Sequence, residues 1–188
     1  WLYNLEIRDK ALIFKTENYK IGDIIWSYDS EKIIFSDSSN KWRAANVNEP
    51  EKLINIPVSF LKPKWNPEDS SKIFFEKDDD IFIFDLKNQR SSAALIQNII
   101  DYDISEKYIF YVQKPNLILY KYDTLSGTKE QLTNLPMEYK ENLHYLLRIF
   151  STQDIILQAD DAIYLFDKDK KLFEKIYENI KGVNLASD

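Results

Sequence analysis

From Lys64 to Gln97 the chain alternates short apolar runs with polar breaks. Ile73–Phe75 is followed by Asp78-Asp79-Asp80, Ile81–Phe84 by Lys87-Asn88-Gln89-Arg90, and then comes Ala93–Ile96. Runs this short, rich in Ile and Phe and bounded by turn formers, predict β-strands joined by tight hairpins. The same pattern is written again on both sides. Ile24–Asp37, Lys41–Val47 and Lys52–Ile56 make one copy. Ile99–Val112, Leu117–Asp123 and Lys129–Leu135 make another, and Leu147–Asp160, Ala162–Asp167 and Lys171–Tyr177 a further one. Leu2–Ile7 and Ala11–Lys15 predict two strands joined at Arg8-Asp9-Lys10, like the later half of a copy, and Gly182–Asp188 opens one more.

Lys32 to Lys72 is 40 residues, Lys72 to Lys107 is 35 and Lys107 to Asp154 is 47. A period of about 40 residues with about four strands per unit predicts an all-β fold of β-propeller blades. One four-stranded sheet cannot bury both its faces alone, and stacking covers them. The expected blades are 1–22 (partial), 23–58, 59–98, 99–137, 138–180 and 181–188 (partial), in a single propeller domain or an arc of one. Pro136–Asn142 lengthens the last interval and is expected as a loop between blades rather than a helical turn. Two arrangements stay open: a ring closed by a three-stranded blade built from both ends, or an arc of a longer ring.

Composition narrows the functional classes. Aromatics make up 14% of the 188 residues and favour sheet packing. Three glycines are few for an all-β chain, so Asn, Asp and Ser are expected to make most turns. The absence of Cys excludes disulfides, thiol catalysis and Cys-based zinc sites. A net charge of −6 disfavours nonspecific nucleic-acid binding, and no apolar stretch approaches the ~20 residues of a membrane span. No Asn-x-Ser/Thr sequon is present. The chain begins at Trp1 rather than Met, so it is expected to be a processed or excised piece, with any targeting segment or anchor outside it.

Several stretches follow the form x-W-S-P-D-G-K-x-I-x-F…I-Y-x-x-D…G-x-x-x-x-L-T. They are Trp26-Ser27-Tyr28-Asp29, Trp65-Asn66-Pro67-Glu68, Leu119-Tyr120-Lys121-Tyr122-Asp123, Ser126-Gly127 and Gln131-Leu132-Thr133. In these the chain resembles TolB-like, WD-repeat-like bacterial propellers and the propeller of prolyl oligopeptidase relatives. It also resembles the propellers that follow PEGA repeats in anchored bacterial surface proteins. The Gly-Lys turn of that form is replaced by Ser-Glu-Lys or Ser-Ser-Lys, and in the fourth copy by Ser-Thr-Gln-Asp.

Candidate chemistry is sparse. His144 is the sole His; without a G-x-S-x-G elbow it is expected as a structural or surface residue, and one His makes no His-based metal site. Asp78-Asp79-Asp80, Asp160-Asp161 and Asp167-Lys168-Asp169 fall where hairpin turns are predicted. They lack the glycine of a D-x-D-x-D-G calcium loop, so turn formation is the expected role. Nothing singles out a carboxylate pair for glycoside hydrolysis. Trp26 and Trp65 occupy equivalent repeat positions and are expected to pack between blades, with Tyr102 as the third copy's substitute and Trp42 in the core; ligand stacking is the alternative role of the first two. Lys168, Lys170 and Lys171, interleaved with acids, predict a solvated face. No catalytic, cofactor or metal residue is assigned.

The expected function is therefore a noncatalytic scaffold that binds a protein or peptide through its loops, within a larger bacterial protein of the cell surface or periplasm. The alternative is the gating propeller of a serine peptidase whose catalytic domain lies outside this chain. A carbohydrate-binding or lytic propeller would instead depend on exposed aromatics.

Overall fold

The structure, a computed structural model, describes residues 2–4, 9–11, 20–57, 60–150 and 154–178, with backbone alone for 2–4 and 9–11. It divides into two compact units, Trp1–Leu95 and Ile96–Asp188. All regular structure in the described residues is β, as the repeats predict.

In the first unit, β1 (Leu2–Asn4) pairs antiparallel with β2 (Asp9–Ala11). Asp9 and Lys10, expected in the connecting turn, are part of β2. Next comes a four-stranded antiparallel sheet in chain order: β3 (Ile21–Trp26), β4 (Lys32–Asp37), β5 (Trp42–Asn46) and β6 (Glu49–Asn55). A second follows, of β7 (Leu61–Trp65), β8 (Lys72–Lys77), β9 (Asp80–Asp85) and β10 (Arg90–Ser91). The second unit has two more. One is β11 (Ile99–Ser105), β12 (Tyr108–Gln113), β13 (Ile118–Asp123) and β14 (Lys129–Asn134). The other is β15 (Tyr145–Ile149), β16 (Ile155–Ala159), β17 (Ala162–Asp167) and β18 (Leu172–Tyr177). Pro136–Asn142 is a loop, as expected.

One strand departs from the expectation. The fourth strand of the second sheet is Arg90–Ser91, in residues read as a turn, while Ala93–Ile96 leaves the regular ladder and keeps one bond to β9, from the Leu95 N–H to the Ile81 carbonyl at 2.7 Å. The Asp85 carboxylate closes the turn by accepting the Lys87 and Asn88 N–H groups, so pairing resumes at once. The regular ladder ends at Ser92, whose N–H still donates to the Ile83 carbonyl at 2.8 Å but whose hydroxyl, rather than its carbonyl, takes the Ile83 N–H at 3.0 Å. The apolar run is used for burial instead, with Ile96 6% exposed.

Strand alternation gives the first three four-stranded sheets two buried apolar faces, while the fourth buries one. In the first unit, Ile34 and Ala44 meet Ile73, Phe75 and Phe84 in one core between the two four-stranded sheets. Phe60 stacks on Phe75 at 4.2 Å between ring centres and meets Phe84 edge-on at 5.6 Å. The opposite face of the first sheet buries Ile33, Phe35 and Ala45. In the second unit, Phe110, Val112 and Leu119 pack against Leu147, Leu157 and Phe166.

In the second unit polar bonds set the spacing between the first strands of the two sheets. Asp101 and Asp103, on β11, accept the backbone N–H groups of Leu147 and Ile149, on β15, at 2.7 and 2.9 Å. A strand of one sheet is thus tied to a strand of the next through side chains rather than a ladder.

The shortage of glycine shows in the backbone. Among the described residues eleven non-glycine residues have positive φ, including Ser30, Asn40, Asp78, Asp79, Asn98 and Asp160, the residue types expected. Glu106 (φ 53°), Gln89 and Lys171 are not of those types, and the left-handed region costs such residues about 1 kcal/mol or more.

Two stability measurements follow. Asp101→Ala leaves the buried Leu147 N–H without its acceptor and lowers unfolding free energy by about 1–3 kcal/mol in urea titration. Glu106→Gly, at an exposed turn, relieves the positive φ and raises it by about 0.5–1 kcal/mol. A loss there would show that the turn is not strained by its side chain.

Candidate binding surfaces

The turns at the ends of the strands are closed by aspartates in place of glycine. In the first sheet the Asp29 carboxylate accepts the Ser27 hydroxyl at 2.6 Å and the Glu31 N–H at 3.0 Å. The corresponding turn of the second sheet is longer, and Asp69, not Glu68, does this work. Asp69 accepts the Ser71 N–H and pairs with Lys72 at 2.9 Å. At the ends of the third strands, Asn46, Asp85, Asp123 and Asp167 each accept the N–H two residues on. This is the same local device used once per sheet. Asp37 accepts the Ser39 and Lys41 N–H groups and pairs with Arg43 at 2.9 Å.

These bonds favour the ionised form. The Ser27 and Ser70 hydroxyls and the Glu31 N–H bring Asp29 down to about 2, and Lys107 with the Ser126 N–H brings Asp123 to about 2. Asp37, held first by Arg43, and Asp69, held first by Ser71, are also lowered. So are Asp85 and Asp167, chiefly by the Asn88 and Lys170 N–H groups. Ser70 lies in the turn of the neighbouring sheet and also accepts the Lys32 ammonium at 2.9 Å. Adjacent turns in the first unit are therefore bonded to one another.

In the second unit the long connection from β14 to β15 is pinned along its length. The Leu143 N–H donates to the Lys140 carbonyl at 3.1 Å, and the Lys140 N–H to the Tyr145 hydroxyl at 3.1 Å. Tyr139 stacks on Tyr145 with ring centres 6.2 Å apart. The loop flanks a groove of about 380 Å³. Its apolar lining is Met137, Leu143, Ala159, Ala162 and Tyr164, and its charged lining Glu138, Lys140, Asp160, Asp161, Lys175 and Glu178. A second, more open groove of about 600 Å³ lies in the first unit, along Lys72, Ile83, Asp85, Arg90 and Ser92. It exists because β10 is two residues long where β6, β14 and β18 are six or seven.

His144 stands exposed just before β15, and its carbonyl accepts the Asp160 N–H at 2.9 Å. Asp78 and Asp79 are the turn residues of the β8–β9 hairpin, with φ of 52° and 64°, and Asp80 opens β9. Asp160 and Asp161 form the β16–β17 turn, while Asp167 caps its own turn and pairs with Lys170 at 3.2 Å. The turn role expected of the three clusters is what the geometry shows. Among the described residues, no group of three His, Asp or Glu converges on a point where a metal ion could sit. Lys168, Lys170 and Lys171 are exposed.

The tryptophans divide. Trp65 is 1% exposed and donates its indole N–H to the Ile25 carbonyl at 3.0 Å, so it packs between sheets as expected. Trp42 is in the same core. Trp26 is corrected: it is 46% exposed. It pairs with Ile33 on the face turned away from the second sheet, whereas Trp65, paired with Ile73, faces the first. Tyr102 is fully buried, but the register gives Trp65's place to Ile104, opposite Ile109; Tyr102 lies two residues farther from the turn, opposite Tyr111. The groove beside the long loop was not read from the sequence. Its signal was there in the longest repeat interval and in two alanines flanking Asp160-Asp161.

No protein-family model matches the sequence, and no curated protein matches it. Solved structures match the fold. The N-terminal domain of Nup159 is 12% identical over 90% of this chain and 51% of its own, with a TM-score of 0.63. A chain of the S. cerevisiae complex of a Dbp5 variant bound to Nup159, a Gle1 variant, IP6 and ADP gives 12%, 90%, 51% and 0.64. Oligogalacturonate lyase in complex with manganese gives 12% identity over 98% of this chain and 60% of that one, with a TM-score of 0.64. The chain thus spans about half the length of the first two and 60% of the third. The likeness shows the fold, all-β with four-stranded antiparallel propeller blades.

The turn aspartates make stability depend on acid. Their folded pKa values lie below the unfolded value near 3.8, so their contribution is complete above that value and lost as pH falls through about 2. The melting temperature is expected to be level from pH 7 to about 4 and to fall between about 4 and 2. Asp29→Asn should start lower and fall less steeply, read by circular dichroism. An unchanged slope would remove Asp29 from this account.

Proposed function

We propose that this chain is a noncatalytic β-propeller scaffold that binds a protein or peptide, within a larger bacterial protein of the cell surface or periplasm. The observation that carries the reading is the pinned loop from Leu135 to His144. It is the one long inter-sheet connection among the described residues, and it is held by Tyr145 and the Lys140–Leu143 bond. Loops fixed on rigid sheets are where binding residues sit, because the scaffold has already met the cost of ordering them. The groove beside it is small and shallow for a substrate-enclosing site but suited to a few side chains of a partner.

Other support is coarser. The turn sequences resemble those of TolB-like bacterial propellers, which is the basis for the bacterial, extracytoplasmic setting. Nup159, a fold neighbour, is found bound to Dbp5. The lyase neighbour lends no chemistry, since fold does not transfer a site.

The test is to pan a random dodecamer phage library on the folded chain and map the selected synthetic peptides by amide shifts. Peptides are expected to perturb residues 137–143 and 159–164, and Tyr139→Ala, which frees the loop, to weaken them about tenfold. Selection of no peptide above background would end the binding reading. Product formed from oligogalacturonate with manganese would end the noncatalytic one.

A further inference from the structure

We propose that the groove beside the 135–144 loop receives the side chain of a lysine or arginine from an extended segment of the partner. The inference rests on the binding reading above and gives it a chemistry. Room for the side chain comes from Ala159 paired with Ala162 at the end of the β16–β17 hairpin. In the second and third sheets the equivalent pairs are Lys77 with Asp80 and Gln113 with Ile118, whose longer side chains would fill the space. Met137 and Leu143 from the loop and Tyr164 from β17 supply apolar walls. A (CH2)3–4 stem buries well against such walls while its charged head stays wet.

Charge selects the head group. Lys175 pairs with Glu178 at 3.1 Å, also feels the Asp161 carboxylate, and lies 5.8 Å from the Tyr164 ring centre. The groove's lining holds four carboxylates, Glu138, Asp160, Asp161 and Glu178, against two ammoniums, Lys140 and Lys175. Among the described residues none of Glu138, Asp160 and Asp161 makes a direct ion pair. An apolar slot with an excess of carboxylate at its rim favours a cation on a long apolar stem over an anion or a neutral residue.

The probe is the acetylated, amidated peptide Ser-Ala-Leu-Arg-Ala-Ser, compared with versions carrying citrulline or norleucine in place of arginine, titrated by amide shifts. The arginine peptide is expected to perturb residues 137–143 and 159–164 and to bind at least about fivefold more tightly than the citrulline peptide, which has nearly its shape without its charge. The preference should shrink as salt rises. Asp160→Asn with Asp161→Asn should lose about fivefold. Asparagine tolerates the positive φ of Asp160, so the turn survives the change. Lys140→Ala should gain affinity, which a merely structural role for the loop would not produce. Equal binding of arginine and citrulline peptides overturns this inference while leaving peptide binding intact. Shifts confined to another surface do the same. No shift from any of the three peptides at millimolar concentration also overturns it, and the phage selection then decides the broader reading by itself.

Discussion

Three of the four four-stranded sheets of this protein bury apolar side chains on both faces, and much of the architecture follows from that constraint. In β4, Ile34 points into the core shared with the second sheet while Ile33 and Phe35 point the other way. In β12, Phe110 and Val112 face the β15–β18 sheet while Ile109 and Tyr111, also buried, face away. A sheet of this kind cannot stand with one side in water, as an amphipathic antiparallel sheet does. It must be covered twice, and repetition of the same unit is the economical way for one chain to do so. The hydrophobic contribution is large, since burying a Phe or Ile side chain is worth roughly 1.5–3 kcal/mol each, but it is not directional. Direction comes from polar bonds. The two carboxylates of β11 that hold the Leu147 and Ile149 amides fix how two adjacent inner strands lie against each other. The Trp65 indole N–H does the same between the sheets of the first unit.

The same economy governs the turns. With three glycines in 188 residues, the chain has few positions that reach positive φ without cost. Aspartates compensate by accepting the N–H groups that a tight turn would otherwise leave open. Asp85, Asp123 and Asp167, with Asn46 in the first sheet, repeat this at one structural position. Short, self-bonded turns offer little to a partner, because their polar groups are already used.

Much of this was legible in the sequence. The runs around Ile33, Ile73, Ile109 and Ile155 gave the central strands, and the Asp-rich breaks gave the hairpin turns, because apolar periodicity and turn chemistry are local signals. What was not legible depended on neighbours. Ala93–Ile96 is apolar enough to be a strand, yet the Asp85 turn starts the pairing at Arg90 and the Ser92 hydroxyl breaks its regular register. Trp26 and Trp65 have the same local sequence setting, and their exposures differ because one faces the neighbouring sheet and the other does not. Aromatic character alone points to Tyr102 for Trp65's place, whereas hairpin register puts Ile104 there. The groove lay beyond reach for the same reason: Met137, Ala159 and Tyr164 come together only through the folding of the loop onto β16 and β17.

That groove also shows where specificity can enter such a fold. A repeat array has many equivalent turns, and selection for a rigid sheet stack keeps them short and closed. A binding site needs a departure from the repeat. Two occur among the described residues: the two-residue β10, which opens one groove, and the long β14–β15 connection, which builds another. They differ in what surrounds the opening. Beside β10 the Lys72 ammonium is held by Asp69 and the Asp85 carboxylate by its own turn, so most of the local charge is already satisfied. Beside the long loop, an alanine pair leaves space and carboxylates outnumber ammoniums. Both the missing side-chain volume and the excess of carboxylate therefore point to the same place, on the one connection among the described residues whose length the repeat does not explain.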